Sequence, residues 1–535
     1  MEIKDTLNLP ETNFPMKASL TKAEPQMLEW WAKEKIYEEI RESSKGKEKF
    51  VFHDGPPYAN GHIHMGHALN KVLKDFIVKI MGMKGYDAGF IPGWDCHGLP
   101  IEHQVGKKLK EKKMSLEKSA IREQCRSYAQ DFVSIQRDEF KRLGIFADWD
   151  NPYLTMDYSY ESTIVREFGK FVEKGMVYKG LKPVHWCTSC RTALAEAEVE
   201  HGDHTSPSIY VKFEIKSGVP NNMGGDLGKA YMVIWTTTPW TLPANLAISL
   251  HPEFQYVAVA INDEVLIVAE ERLSSLILDW DVTEYKILGV CKGKNWENAV
   301  CQHPFINRDS KVILGDHVTL EQGTGCVHTA PGHGQDDYIV GLKYGLEPYN
   351  PVDDGGVFRN DVEHFSGVFV RKANPEIIEK LNQDGFLIHK EDIKHSYPHC
   401  WRCHQPVIFR ATNQWFISME KEDLRKNALA GIERTKWIPD WGMERIYNMI
   451  ENRPDWCVSR QRAWGVPITL CTCIECGELV DTKNVFERAV EGIKKQGAEF
   501  WFETPIEGLI SKLSLIHISE PTRRTPISYA VFCLK

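Results

Sequence analysis

Two Cys-x-x-Cys pairs constrain this chain more than any other feature. Cys187/Cys190 and Cys400/Cys403 stand on either side of a segment whose texture differs from its surroundings. From about 200 to 395 the text is rich in short β-branched runs, YMVIWTTT, FQYVAVAI, VLIVA and KVIL, separated by Gly, Asp and Asn. That pattern predicts a compact β-rich domain. Paired CxxC knuckles suit tetrahedral zinc, with free thiols as the alternative. If the pairs share one ion, the ends of the β-rich segment must meet, and that segment becomes an insertion closed at its neck. A third pair, Cys473/Cys476, reads as half of another knuckle.

The remaining composition narrows the class. The 535 residues are long enough for three or four domains. Lys and Arg number 65 against 74 Asp and Glu, a net charge of −9, which argues against indiscriminate coating of nucleic acid and leaves room for a local basic surface. Hydrophobic residues at 42% and charged residues at 26% exclude a mainly disordered chain. No apolar run approaches the roughly 20 residues of a membrane helix, and the N-terminus shows no apolar signal core. A cytoplasmic protein is the expectation.

Residues 1–48 read as a helical lead-in. Phe50-Val51-Phe52 then reads as a short strand, Gly55-Pro56-Pro57 as a turn, and the text from His64 as a helix ending near Gly82 and Gly85. Its apolar stripe is Met65, Leu69, Val72/Leu73, Phe76/Ile77 and Ile80. Strand, tight turn and helix begin an α/β nucleotide-binding architecture. His64-Met65-Gly66-His67 falls where the helix opens. Unpaired N–H groups and the dipole favour phosphate there, Gly66 admits a nucleotide close to the backbone, and imidazole N–H groups can stabilise phosphate charge. Two surface histidines on an amphipathic helix are the plain alternative.

The surrounding text resembles the class I aminoacyl-tRNA synthetases, whose HIGH motif is here HMGH. Within that family it is most similar to the isoleucyl branch, through PYANGHIHMGHALNKVLKDFIVK, GWDCHGLPIEHQV, LNLPETNFPM, KPVHWCTSCRTALAEAEVE, WTTTPWTLPANLAI, GTGCVHTAPGHGQDDYIVG, YPHCWRC and NRPDWCVSRQRAWGVPI. The resemblance implies a split Rossmann-like α/β catalytic domain over 49–199 and 396–512, interrupted by an editing domain over 200–395. It implies ATP with Mg²⁺, L-isoleucine and tRNA(Ile) as partners, a monomer with no membrane association, and structural zinc on Cys187, Cys190, Cys400 and Cys403.

By the same resemblance, His64, Gly66 and His67 bind ATP, and Pro56 borders the isoleucine pocket. Asp95 takes the substrate ammonium, where a charge-assisted bond would fix the reacting carboxylate. Thr236, Thr237, Thr238, Asn245, His328 and Asp337 form the hydrolytic site for valyl-tRNA(Ile). The hydroxyls position ester and water, Asp337 holds the ammonium, and His328 shapes the pocket. Read alone, the threonines suit a plain strand, Asp337 a helix N-terminus and Asp95 a turn.

The family's second signature, KMSKS, is expected well beyond residue 512, followed by an anticodon-binding domain, so the chain reads as an N-terminal fragment. Lys113-Met114-Ser115-Leu116-Glu117 imitates that signature, but it precedes the insertion on a charged helical stretch and reads as coincidence. From about Leu513, LSLIHISEPTR…ISYAVFCLK departs from the family text. It resembles a translated sequencing-library adapter. A ligase, a stand-alone aminoacyl-tRNA deacylase and a non-catalytic tRNA-binding paralogue are the three functional readings.

Overall fold

The structure is a computed structural model that describes residues 3–8, 13, 17–111, 117–223, 227–473, 478–510 and 529–530. Cys476, the tail from 513 apart from 529–530, and 113–116 of the KMSKS-like stretch lie outside the described residues, as does most of LNLPETNFPM. The fold is mixed α/β. Two compact units divide it, one from residues 1–166 with 463 onward, the other essentially Glu167–Arg462.

In the first unit, the lead-in forms helices Leu20–Lys33 and Ile36–Ser43. A small parallel sheet follows. Gly93–Trp94 pairs in parallel with Tyr153–Leu154, and parallel bridges join Lys49 to Asp87, Phe52 to Phe90 and Tyr58 to Asp95. The expected strand Phe50-Val51-Phe52 is therefore reduced to bridges at its flanks, and Val51 is exposed. Phe90, Trp94, Ile101, Phe140 and Trp464 centre the core. Arg122 ties early to late sequence, donating to the carbonyls of Ala463 (2.7 Å) and Gly465 (3.0 Å) and to Glu499 (3.0 Å).

The helix foreseen from His64 runs Met65–Met83. Its facing is the reverse of the expectation. Met65, Leu69, Leu73, Phe76, Ile77 and Ile80 are exposed, Met65 at 83%, while Lys71 and Asp75 are buried. The reason is electrostatic pairing. Lys71 bonds the buried carboxylate of Asp54, which Lys74 also reaches at 2.6 Å, and Asp75 takes Lys79 at 2.6 Å and the Phe146 N–H at 2.9 Å. Buried charges persist only when paired in this way.

The second unit holds the β-rich domain. Six strands form a closed circuit: Val199–Ser217, Ala230–Thr236, Cys326–Thr329, Ala247–Leu250, Asp309–Leu314 and Val300–Gln302, the last returning to the first. Closure removes open edges. Its interior is apolar, with Ile209, Phe213, Met232, Ile248 and Val312 among the buried residues. Leu387–Cys400 adds a long antiparallel partner to Val199–Ser217, in register from Cys400 opposite Val199 to Lys390 opposite Ile209. A separate antiparallel sheet of Val177–Cys187, Thr192–Leu194, Ile408–Ile417 and Trp456–Cys457 carries the polypeptide into and out of the barrel. No helix among the described residues is long and apolar enough to cross a membrane.

Candidate functional site

In the first unit, His64 is the N-cap of Met65–Met83. Its Nδ1 accepts from the Gly66 N–H at 3.1 Å, and its own N–H donates to His67 Nδ1 at 3.4 Å. The two rings stack with centroids 3.8 Å apart. Because both Nδ1 atoms accept, the ring protons sit on both Nε2 atoms, leaving each as a donor. Burial, aided by the neighbouring His64 and Lys71 charges, holds His67 below the usual histidine range and keeps it neutral. Two neutral N–H donors at a helix N-terminus form an anion-facing end.

Pro56, Pro57 and Asp95 are brought together by the parallel bridge. The Asp95 N–H donates to the Pro57 carbonyl at 2.9 Å, and the Ala59 N–H to the Asp95 carbonyl at 2.9 Å. The Asp95 carboxylate accepts from the His97 N–H at 3.2 Å. His97 in turn meets the buried Glu161 at 3.1 Å, which also takes Arg126 at 3.3 Å and the Ala498 N–H at 2.8 Å. Burial alone would raise the Glu161 carboxyl. The hydrogen bond and charge of His97, with Arg126, outweigh it and hold the group below its ordinary range. Sequence reading missed this support because the partners are scattered along the chain.

In the second unit, Thr236, Thr237, Thr238, His328 and Asp337 line one cavity of about 460 Å³. The strand stops at Thr236, and Thr238 caps the 3₁₀ turn Pro239–Ala244, so the three threonines do not make a continuous strand. Thr236 and Thr238 hydroxyls lie 3.3 Å apart. Asp337 accepts from the Ala330 N–H at 2.8 Å, and Gly334 leaves the space its carboxylate occupies. Burial pushes the Asp337 carboxyl up to about 6.

Asn245 lies behind this cavity and is fully buried. A directed chain of bonds runs from it. The Ser310 hydroxyl donates to Asn245 Oδ1 at 2.7 Å, and Asn245 Nδ2 donates to His328 Nδ1 at 2.8 Å. His328 Nε2 then donates to the Thr241 hydroxyl at 2.9 Å, which donates to the Thr238 carbonyl at 2.8 Å. Burial, with His303 and His333 nearby, lowers His328 to about 3, so it is neutral and held at both nitrogens. Thr241 and His333 also line the cavity and were missed from sequence. Thr241 lies within the quoted WTLPAN text, and its position three residues after Thr238 was the available signal.

The four cysteines come together, with all sulfurs within 4.8 Å of one another and Cys187 Sγ 3.4 Å from Cys403 Sγ. A tetrahedral zinc with bonds of about 2.3 Å spaces its sulfurs by roughly 3.8 Å, so the set fits. Cys473 belongs to no such group among the described residues.

The anion-facing helix end on a parallel α/β sheet, with a β-barrel inserted at a four-cysteine neck, is the arrangement of a class I synthetase. Residues 26–519 match the family model of class I tRNA synthetases for I, L, M and V, and the chain belongs to that family. Its relatives place it on one branch. It is 53% identical over 511 residues to the isoleucine–tRNA ligase of Syntrophotalea carbinolica, covering 95% of this chain and 55% of that protein. It is 55% identical over 504 residues to that of Geobacter sulfurreducens, covering 94% and 54%. The chain spans about half the length of the curated relatives it matches.

Proposed function

We propose that this chain carries part of the apparatus of an isoleucine–tRNA ligase with hydrolytic proofreading. The observation that supports it most is identity above 50% to such ligases across 95% of the chain. In the synthetic reaction, the carboxylate of L-isoleucine attacks the α-phosphate of ATP, pyrophosphate leaves, and the isoleucyl group passes to tRNA(Ile) with release of AMP. His64 and His67 donate Nε2 protons to the ATP phosphates, and Gly66 permits the approach. Asp95, anchored through His97, takes the substrate ammonium beside Pro56. Mg²⁺ accompanies ATP as part of the substrate.

Isoleucine and valine differ by one methylene, worth only about 1–3 kcal/mol in an apolar pocket, and this pair is a standard instance of that limit. A second, hydrolytic site supplies the missing discrimination. In the barrel cavity, water adds to the ester carbonyl of valyl-tRNA(Ile) and the ribose oxygen leaves, giving valine and tRNA. Thr236, Thr237 and Thr238 hydrogen-bond ester and water. Asp337 pairs with the ammonium. His328, fixed neutral by Asn245 and Thr241, is a rigid wall against the larger isoleucyl group. Zinc on Cys187, Cys190, Cys400 and Cys403 would be structural, tying the barrel's entry strand to its exit strand.

A second reading is a deacylase acting alone. The placement of the whole hydrolytic cavity within one compact unit favours it. Two assays on purified protein decide. Isoleucine-dependent ATP–pyrophosphate exchange reports the ligase site, and release of valine from valyl-tRNA(Ile) reports the barrel. Release of valine and isoleucine at equal rates would refute the proofreading assignment.

A further inference from the structure

A second cavity, of about 340 Å³, adjoins the hydrolytic one and shares Thr237 and Thr238 with it. Its far wall is the two-stranded ribbon of Val199–Ser217 and Leu387–Cys400. In that ribbon His395 lies opposite His204, and Tyr397 opposite Gly202. Side chains alternate along a strand, so His204, His395, Tyr397 and His399 share one face. Their rings form a half-exposed cluster. Tyr397 lies 5.0 Å from His204 and 5.7 Å from His395, and His399 lies 6.0 Å from His204. Gly202 provides the room, since a side chain there would meet the His399 ring at 3.6 Å.

Arg371 and Lys390 bring positive charge to this cavity, and Asp392 is its one acid among the described lining residues. Burial, then Arg371 and the neighbouring histidines, keeps His204 below the usual histidine range, so its ring is a neutral π-face. None of this belongs to the hydrolytic constellation.

We propose that this ring face is a stacking platform for an unpaired ribonucleotide strand leading to the nucleotide whose ester enters the Thr236–Thr238 cavity. The inference rests on the tRNA reading above and adds a site to it. Aromatic faces accept any base, and flanking cations follow the phosphates, which is the chemistry of single-strand binding. The shared Thr237 and Thr238 make platform and cavity continuous, so a strand laid on the rings runs on to the hydroxyls.

The test is fluorescence anisotropy of the full chain with a labelled single-stranded RNA of about eight nucleotides ending in CCA, against a duplex of the same length. The single strand is expected to bind more tightly than the duplex. His204→Ala and Tyr397→Ala are expected to weaken it about fivefold or more, from stacking loss at one base. Tyr397→Phe keeps the ring and should stay within about twofold of wild type. Lys390→Gln, at an exposed position that should fold normally, should reduce the salt dependence of binding by about one phosphate contact. Equal affinity for single strand and duplex, or wild-type affinity in His204→Ala, would overturn the proposal. Hydrolysis of valylated substrate is read separately, so the platform and the proofreading function can fail independently.

Discussion

Asn245 Nδ2 donates to His328 Nδ1 at 2.8 Å, and this bond sets which face of the imidazole carries its proton. The histidine turns no free nitrogen toward the ester, because Thr241 takes the other. The wall of the hydrolytic cavity is thereby fixed in place by a residue that does not line it. Asn245→Ala would strand His328 Nδ1 and the Ser310 hydroxyl in the interior. Such losses cost about 1–3 kcal/mol each. The expected result is a lower Tm together with slower release of valine and increased attack on isoleucyl-tRNA. Unchanged Tm and unchanged selectivity would remove Asn245 from this role.

The Asp337 carboxyl titrates near 6 in the folded chain, against an ordinary 3.8. Between about pH 4 and 6 the folded state holds a proton that the unfolded state has released. Stability from this group therefore falls as pH rises across that window. Ammonium binding runs the other way, since the carboxylate forms only as pH passes about 6. Valine release should rise through that range, and Asp337→Asn should abolish both the rise and the stability slope. A pH–rate profile and urea titrations at pH 4.5 and 7 measure the two.

Elemental analysis of purified protein should find about one zinc per chain, and Cys400→Ser should abolish it. Chelation should also lower Tm, because the ion joins Val177–Cys187 to Leu387–Cys400 across the barrel's neck. Metal-free protein with full thermal stability would leave four thiols and no structural ion.

His64 has two separable jobs, capping the helix and donating Nε2–H to phosphate. Asn is among the best N-caps, so His64→Asn should keep Tm near wild type, whereas His64→Ala should lose about 1 kcal/mol. Both should weaken ATP binding, measured by calorimetry. Wild-type affinity in His64→Asn would show that the imidazole contributes nothing to phosphate.

The outline was legible where the signal is local. The helix after His64 was read to within a residue of Met65–Met83 because its apolar period and terminal glycines are written in one stretch. The β-rich segment was visible as runs that became Ala230–Thr236, Gln255–Ile261 and Glu264–Ala269. Which face of the helix is buried was not legible. Periodicity shows that a stripe exists, not what lies beside it, and Asp54 drew Lys71 inward instead. Asn245 could be named from the WTTTPWTLPAN resemblance, but its place behind His328 depends on strands brought together by the barrel. The Thr241 and His97 contacts were missed for the same reason.

The ring of six strands has a further consequence. Each strand of a closed circuit finds its backbone partners inside the circuit, so the cavity between Thr236 and Asp337 borrows no hydrogen bond from a neighbouring sheet. Such a chamber can be carried as a self-contained cartridge. The polypeptide on either side can lengthen, diverge or change its chemistry while the reaction vessel keeps its dimensions.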